Sequence, residues 1–245
     1  MTYQELCSFD TLWTAYHRAR RCKRGKKSTA PFEYSAIEEL LILSKSLLQG
    51  THQPDPLDAF YIYEPKKRLI QAPTFRDKVV QHALTDYIVY DELARSFTLN
   101  TYAAQYGKGT HYGLEMLKRH MRTYFLRRKG ADEAARKAAG LPHRPMEEWD
   151  YAEGWVLKGD FSKFFYTLLH AVCFEKARKA LAFLSDEELI DFVEWLLWIV
   201  IDSTPDPGIP IGNQSSQLLA LLYLDAFDHW LSCLLYTSDA ADDGE

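Results

Sequence analysis

Apolar residues recur at helical spacing in three separate stretches, and this periodicity constrains the fold more than any other feature of the sequence. The stretches are residues 37–48, 79–88 and 189–200, each long enough for about three helical turns. The third follows Ser185 and Glu188, which form a capping-box pattern at its start. Because an apolar stripe on a helix must be buried against a partner, we predict a helix-rich chain with a packed core.

Two other regions favour β-structure. Residues 61–70 are β-prone around a turn at Pro65, which predicts a short hairpin that ends before Pro73. Residues 155–160 alternate between two faces, which predicts a strand that Asp160 closes. Helices combined with these strands predict a mixed fold of the α/β (α+β) class.

The composition argues against disorder and against membrane spans. Apolar residues make up 47% of the chain and charged residues 26%, which is typical of a soluble globular protein. The longest apolar run, residues 195–201, is far shorter than the ~20 residues that a bilayer requires, and residues 1–10 carry charge where a signal peptide would be apolar. The 4 cysteines lie far apart, so neither disulfides nor a zinc site is indicated. We therefore expect a cytoplasmic protein with no membrane partner.

Residues 17–27 form a strongly basic segment in a chain whose net charge is -5. The segment holds seven Lys and Arg residues and no acid, which suits contact with phosphates. A solvated helix face followed by a tail would have the same composition, so both interpretations stay open. The candidate nucleic-acid contacts in this segment are Arg20, Arg21, Lys23 and Arg24.

Two local patterns are candidates for chemistry. A strand-end aspartate such as Asp160 can hold Mg²⁺, because this ion accepts one or two protein carboxylates and fills its shell with phosphate oxygens and water. An aspartate that caps the following turn would give the same pattern. Residues 208–217 contain two glycines, which let the backbone approach a ligand, before the N-terminus of a helix. That pattern favours a phosphate or a base pair, with an ordinary tight loop as the alternative.

Four segments, in the expected order, resemble the conserved motifs of bacterial retroelement-type reverse transcriptases. Residues 61–84 resemble the first fingers segment of that family, and residues 105–111 resemble its second fingers motif. Residues 160–165 resemble palm motif A, and residues 208–217 resemble palm motif B. The resemblance runs over residues 8–230 and implies a right-hand polymerase with fingers and a partial palm.

The resemblance also implies how the chain is divided. Residues 1–58 would form an N-terminal helical, basic extension, and residues 59–153 would form the fingers, with a surface insertion at about residues 127–148. Residues 154–232 would form the partial palm with motifs A and B. Residues 233–245 are a separate tail.

Motif B has the variant form Ile-Gly-x-x-x-Ser-Gln, carried by Ile211, Gly212, Ser216 and Gln217. This form is typical of the reverse transcriptases of diversity-generating retroelements, whereas most of the family has Gln-Gly-x-x-x-Ser-Pro. An aliphatic side chain at Ile211 cannot make the hydrogen bond that an amide would make to the incoming nucleotide. Discrimination between right and wrong nucleotides is therefore expected to be weak.

The resemblance assigns roles to individual residues. Asp160 is the implied catalytic residue and would bind metal together with the backbone carbonyl of Phe161; the complete enzyme would use two Mg²⁺ ions, with Mn²⁺ as an alternative. Phe165 would collide with a ribose 2′-hydroxyl, against the alternative of a core phenylalanine. Arg68 is best suited to bind the triphosphate, because a guanidinium can donate two hydrogen bonds to phosphate oxygens. Which of the neighbouring lysines also neutralises the triphosphate stays open. The implied substrate-binding residues are Lys66, Lys67, Arg68, Phe165, Ile211, Gly212 and Gln217.

Lys108 and His111 lie in a glycine-flanked segment. Gly109 separates Lys108 from Thr110, so the segment is not a P-loop, in which Ser or Thr must follow Gly-Lys directly. We predict that Lys108 and His111 contact the template backbone, against the alternative of an ordinary exposed turn. His82 lies in a helical apolar pattern and is predicted to be a core histidine whose hydrogen bonds are satisfied.

The third palm motif is missing. Two-metal phosphoryl transfer needs several carboxylates, which the family carries on a later Tyr-x-Asp-Asp hairpin, and nothing after Trp230 supplies it. Residues 233–242 instead match, residue for residue, the in-frame translation of a transposon-derived sequencing adapter, TGT CTC TTA TAC ACA TCT GAC GCT GCC GAC. We therefore expect residues 233–245 to be non-native and Asp242 and Asp243 not to be catalytic aspartates.

The predicted function is that of an error-prone, Mg²⁺-dependent RNA-directed DNA polymerase, of which this chain would be an inactive N-terminal fragment. Its partners would be an RNA template, a DNA or RNA primer, dNTPs and an accessory protein. One alternative is a non-catalytic nucleic-acid-binding protein on the same scaffold. Another is a retron, intron-maturase or phage-defence reverse transcriptase.

Overall fold

The computed structural model describes the backbone of residues 1–242 and the side chains of residues 1–234. The chain is helix-rich with one small two-stranded sheet, so the predicted mixed fold is confirmed at this level. Two compact units can be separated: residues 1–98 together with the chain from Lys163 onward, and residues 99–162. The predicted non-native tail lies partly outside the described residues. Every helix within them is too short or too polar to cross a bilayer.

The elements follow one another as mostly short helices around a single hairpin. In chain order they are α1 (Tyr3–Leu6), α2 (Phe9–Ala19), α3 (Ala30–Tyr34), α4 (Ala36–Leu48), β1 (Asp58–Ile62), β2 (Arg68–Ala72), α5 (Phe75–Leu84), α6 (Tyr90–Ala94), α7 (Thr110–Ala138), α8 (His170–Leu181), α9 (Glu187–Asp202) and α10 (Gln214–Asp242). One π-helical turn, Thr85–Val89, joins α5 to α6.

The first unit is built on the predicted amphipathic helices. Helix α2 packs against α4 and α5, and α8 packs against α9 and α10. The predicted stripe of α5 is buried, since Val79 and Val80 are both at most 2% exposed. In α4 only part of the stripe is buried, because Leu40 and Leu47 face the core whereas Ile37 is exposed.

The predicted hairpin is confirmed. Strands β1 and β2 pair antiparallel in a register that places Asp58 opposite Ala72 and Ile62 opposite Arg68. The pairing ends before Pro73, as expected for a residue that cannot donate a ladder hydrogen bond. The hairpin therefore presents the turn with its cationic residues at the end remote from α5.

The start of α9 differs from the predicted capping box. Asp186, and not Ser185, is the N-cap residue, because its Oδ1 accepts the N–H of Leu189 at 3.0 Å. The other oxygen of Asp186 accepts the N–H of Tyr3 at 3.0 Å. One carboxylate thus caps α9 and also fixes α1, a long-range constraint that a local pattern cannot reveal.

The predicted strand at residues 155–160 is wrong. In the structure this segment of the second unit is irregular, and Trp155, Val156 and Leu157 are 103%, 89% and 96% exposed. A strand requires a neighbour to accept and donate its ladder hydrogen bonds. The only sheet among the described residues consists of β1 and β2, so no such neighbour is present there.

The second unit has a small aromatic core beside α7. The ring centroids of Phe125 and Tyr151 lie 5.7 Å apart, and those of Trp149 and Tyr151 lie 5.8 Å apart. Asp132 accepts hydrogen bonds from Tyr151 at 2.6 Å and from Arg144 at 2.9 Å, and these contacts lower the pKa of its carboxyl group. Part of the composition-shifted stretch at residues 127–148 therefore continues α7, and the rest folds back on it.

A buried histidine in the first unit makes folding sensitive to acid. His52 Nε2 lies 3.5 Å from Asp77 Oδ1, and the two side chains are 3% and 5% exposed. Burial lowers the pKa of His52 to about 4 from its ordinary 6.5, and it raises the pKa of Asp77. Protonation of His52 therefore destabilises the folded state, whereas protonation of Asp77 stabilises it.

We expect His52→Gln to flatten the acid side of the stability profile. Between pH 6.5 and pH 4 the unfolded chain protonates His52 and the folded chain does not, so the free energy of unfolding falls by up to roughly 3 kcal/mol. Asp77 opposes this trend in both proteins, so the difference between them isolates His52. The measurement is urea unfolding at several pH values, with exposed His143→Gln as the control; equal pH slopes for wild type and His52→Gln would contradict this account.

Candidate functional site

The loop that contains the motif B candidates is bonded to the hairpin. The N–H of Gln71 in β2 donates to the carbonyl of Ile211 at 2.8 Å. Gly212 has φ of 130°, and a Cβ atom at this position would lie 3.0 Å from the carbonyl oxygen of Gln71 and 3.0 Å from a methyl group of Ile70. Glycine is required both by this conformation and by the close approach. The structure thus brings Ile211 and Gly212 against β2.

The same loop is also hydrogen-bonded to the backbone of Phe165. A single 3₁₀ turn, Phe164–Tyr166, positions this residue, and the N–H of Ile209 donates to its carbonyl at 2.8 Å. Phe165 is half-buried and packs partly against the core. Phe164 is half-buried too, with its ring centroid 6.4 Å from that of Tyr223. Both phenylalanines therefore contribute to the core, and the backbone of Phe165 is fixed beside the loop.

The cationic residues of the hairpin lie around its turn. Lys66, Lys67 and Arg68 are all exposed. Lys67 Nζ lies 4.5 Å from the centroid of the Tyr61 ring, a cation–π distance, so part of its charge is engaged within the hairpin. Arg68 begins β2, three residues from Gln71, which is about 10 Å along a strand. Arg68 is therefore on the strand that contacts the Ile211 loop, and Lys66 and Lys67 lie in the turn before that strand.

The candidate metal ligands Asp160 and Phe161 belong to the second unit, where Asp160 ends the irregular segment and Phe161 follows it. Both residues are exposed. A carboxylate and a backbone carbonyl are oxygen donors of the kind that Mg²⁺ prefers, so the donor chemistry fits this ion. Among the described residues there is no group of three or more His, Cys, Asp or Glu side chains that could hold a metal. The described chain therefore offers part of a magnesium site at most.

The basic segment is mostly turns, because α2 ends before Arg20. Glu33 Oε1 lies 3.3 Å from Arg20 Nη1 and 3.5 Å from Arg24 Nε, so one acid partly balances two of the candidate cations. Arg21 is exposed, and Lys23 is half-buried. The four candidates therefore differ in exposure and in how far an acid balances their charge, a difference that the sequence does not indicate.

Lys108 and His111 are in the second unit. Lys108 Nζ donates to the carbonyls of Leu99 and Thr101, both at 3.2 Å, so it closes its own loop. His111 is exposed in the first turn of α7. The predicted contact with a template backbone stays a prediction for both residues.

Asp86, which the sequence analysis did not single out, connects the basic segment to the segment that resembles motif B. Its carboxylate lies 3.0 Å from Arg18 Nη1, accepts a hydrogen bond from Gln214 at 3.2 Å, and lies 3.5 Å from His82 Nδ1. It therefore links α2, α5 and the start of α10. His82 is half-buried, and its Nδ1 has no hydrogen-bond partner in the described part of the chain, so the prediction of a satisfied core histidine is wrong.

Comparison with known proteins gives one informative similarity. No family model matches the chain. Protein YkfC of Escherichia coli (strain K12) is 26% identical to it over an alignment of 205 residues, which covers 79% of this chain and 45% of YkfC. The chain thus spans less than half the length of this curated relative, so the activity and partners of a whole protein of that kind are a matter for proposal.

Proposed function

We propose that the protein to which this chain belongs is an RNA-directed DNA polymerase of the bacterial retroelement type. The carrying observation is the hydrogen bond from Gln71 to Ile211, together with the close approach of Gly212 to β2. These contacts join two of the four segments that resemble the family's motifs, although about 140 residues separate them in the chain. Fingers and palm segments that surround a nucleotide would be expected to meet in this way.

In the proposed reaction a primer 3′-hydroxyl attacks the α-phosphate of a dNTP, forming a phosphodiester bond and releasing pyrophosphate. Lys66 and Arg68 would attract the triphosphate through their exposed positive charges. Phe165 would present its ring to the sugar, with its backbone held by Ile209. Mg²⁺, when bound, would neutralise charge that develops on the phosphates. Asp160 and the backbone carbonyl of Phe161 would supply two of its ligands, and further carboxylates would come from outside the described residues.

The assignment is tested by primer extension with the complete gene product. An RNA template annealed to a DNA primer, with dNTPs and Mg²⁺, should be extended, and the same mixture without template should not. Replacing dNTPs with rNTPs should reduce extension strongly if Phe165 excludes the 2′-hydroxyl. Absence of extension by a folded, RNA-binding gene product would contradict the proposal.

We expect Ile211→Gln to reduce misincorporation by the complete enzyme. The substitution restores an amide that can hydrogen-bond the incoming nucleotide, and one neutral hydrogen bond corresponds to about a fivefold change. Sequencing of many extension products gives the error frequency. Ile211→Leu keeps an aliphatic side chain and should leave the frequency unchanged; an equal error frequency for all three proteins would oppose this role of Ile211.

A non-catalytic nucleic-acid-binding protein is the second candidate. It is favoured by the isolated position of Asp160, which has no group of metal-ligating side chains around it within the described residues. RNA binding without extension, together with a natural downstream sequence that lacks paired aspartates, would support this candidate over the polymerase.

A further inference from the structure

A small pocket in the first unit lies where α5 faces the start of α10. It has a volume of about 280 Å³ and is lined by Lys23, Lys78, His82, Asn213 and Gln217, among others. Pockets for drug-sized ligands usually begin at about 300 Å³, so this one suits a small group. Its lining includes neither the hairpin cations nor Asp160. Lys78, His82 and Asn213 have no role in the proposed function, whereas Lys23, Gly212 and Gln217 are predicted site residues.

The pocket is lined by two cations, Lys23 and Lys78, and by no acidic side chain, although the carboxylate of Asp86 lies 3.5 Å from Nδ1 of the lining residue His82. Lys78 and His82 are four residues apart on α5 and therefore project from the same face. Burial and then the charge of Lys23 lower the pKa of Lys78, and Asp58 opposes this only in part. The positive charges of Lys23 and Lys78 repel each other, and an anion bound between them would stabilise the charged form of both.

Asn213 is the independent sign of a ligand. It is 2% exposed, lines the pocket, and neither its Oδ1 nor its Nδ2 has a hydrogen-bond partner in the described part of the chain. A buried amide without partners is costly, by about 1–3 kcal/mol, so such groups usually meet a ligand or water. An asparagine just before a helix commonly caps it through Oδ1, yet Asn213 does not cap α10.

The start of α10 supplies further donors. The first N–H groups of a helix have no acceptor within it, and the helix dipole places partial positive charge there. The 29-residue α10 begins at Gln214, directly after Asn213 and Gly212. The donors of a helix N-terminus, an amide and two ammonium groups thus surround one small space.

We propose that this pocket binds a phosphate group, held by Lys23, Lys78, the side-chain amide of Asn213 and the N-terminus of α10. The phosphate would come either from the backbone of a nucleic-acid strand or from free phosphate. A strand source rests on the proposed function, whereas binding of a phosphate group by itself does not.

The first test uses the unaltered full chain. The chain is acetylated on its lysines at increasing concentrations of inorganic phosphate and constant ionic strength, and mass spectrometry measures the extent of acetylation at each lysine. Phosphate should protect Lys78 saturably and should leave Lys45, which is exposed on α4, unprotected. No protection of Lys78, or protection equal to that of Lys45, would overturn the proposal without requiring any variant to fold.

The second test measures affinity in variants. Binding of inorganic phosphate is measured by the rise in Tm that it causes. Lys78→Gln should lower the affinity about tenfold or more, because it removes a charged donor. Asn213→Asp keeps the size of the side chain and adds a negative charge, so it should abolish binding. The matched controls Lys45→Gln and Asn100→Asp should bind like wild type, and unchanged binding by folded Lys78→Gln would also overturn the proposal.

A fluorescent single-stranded hexanucleotide distinguishes the two sources. If it displaces phosphate and depends on Lys78, the pocket takes a backbone phosphate of a strand. If inorganic phosphate binds but the hexanucleotide does not compete, the source is free phosphate. Primer extension is scored separately: phosphate binding without extension rejects the polymerase alone, and extension without phosphate binding rejects this pocket alone.

Discussion

Replacing Asp160 by alanine should reduce primer extension by the complete gene product about a thousandfold or more. The expected size follows from losses seen when one group that stabilises a transition state is removed. Asp160 is exposed in the second unit, so the substitution removes no buried contact and should leave folding intact. Single-turnover extension of an RNA-templated primer measures the effect, and circular dichroism checks the fold.

The matched control is Asp191→Ala, which removes an exposed carboxylate from the surface of α9. This variant should extend primers at the wild-type rate. RNA binding should be similar in all three proteins, because Asp160 is proposed to act in the chemical step. If Asp160→Ala retained a substantial fraction of wild-type activity, this aspartate would not be a catalytic residue.

Gly212→Ala should destabilise the first unit by about 3 kcal/mol, through backbone strain and overpacking. At φ of 130° an alanine is strained, and its Cβ would lie 3.0 Å from both Gln71 O and Ile70 Cγ2. Relief requires the loop to move away from β2, which would break the hydrogen bond from Gln71 to Ile211. In a chain of this size the expected fall in Tm is roughly 10 °C.

Gly50→Ala separates the two causes of this effect. Gly50 also has a positive φ, of 63°, but a Cβ atom there would meet nothing within 4 Å. Its substitution should therefore cost only about 1 kcal/mol, from conformation alone. Thermal unfolding of both variants provides the comparison, and equal losses would show that the contact between the loop and β2 contributes little.

The parts of the fold that local physics determines were predictable from the sequence. Helices α4, α5 and α9 follow from apolar periodicity, and the hairpin follows from β-prone residues around Pro65. The strand at residues 155–160 was wrong because alternation shows that a segment can pair, but pairing depends on a neighbour elsewhere. The N-cap of α9 was misplaced by one residue, since Asp186 also binds the N–H of Tyr3.

The candidate site was predictable only in part, for a related reason. Motif resemblance pointed to Ile211 and Gly212 without indicating that they bind to β2 through Gln71. Lys78 and Asn213 belong to segments that the resemblance included, but neither residue type is unusual at its position. Their significance arises from burial, from missing hydrogen-bond partners and from the charge of Lys23, which is far away in sequence.

The most direct test of the central claim is to sequence the DNA made by the complete gene product on an RNA template of defined sequence. The account predicts products that extend the primer with DNA complementary to the template, with scattered errors, and that disappear in Asp160→Ala. Products that do not depend on the template sequence, or no products from a folded, RNA-binding protein, would contradict it.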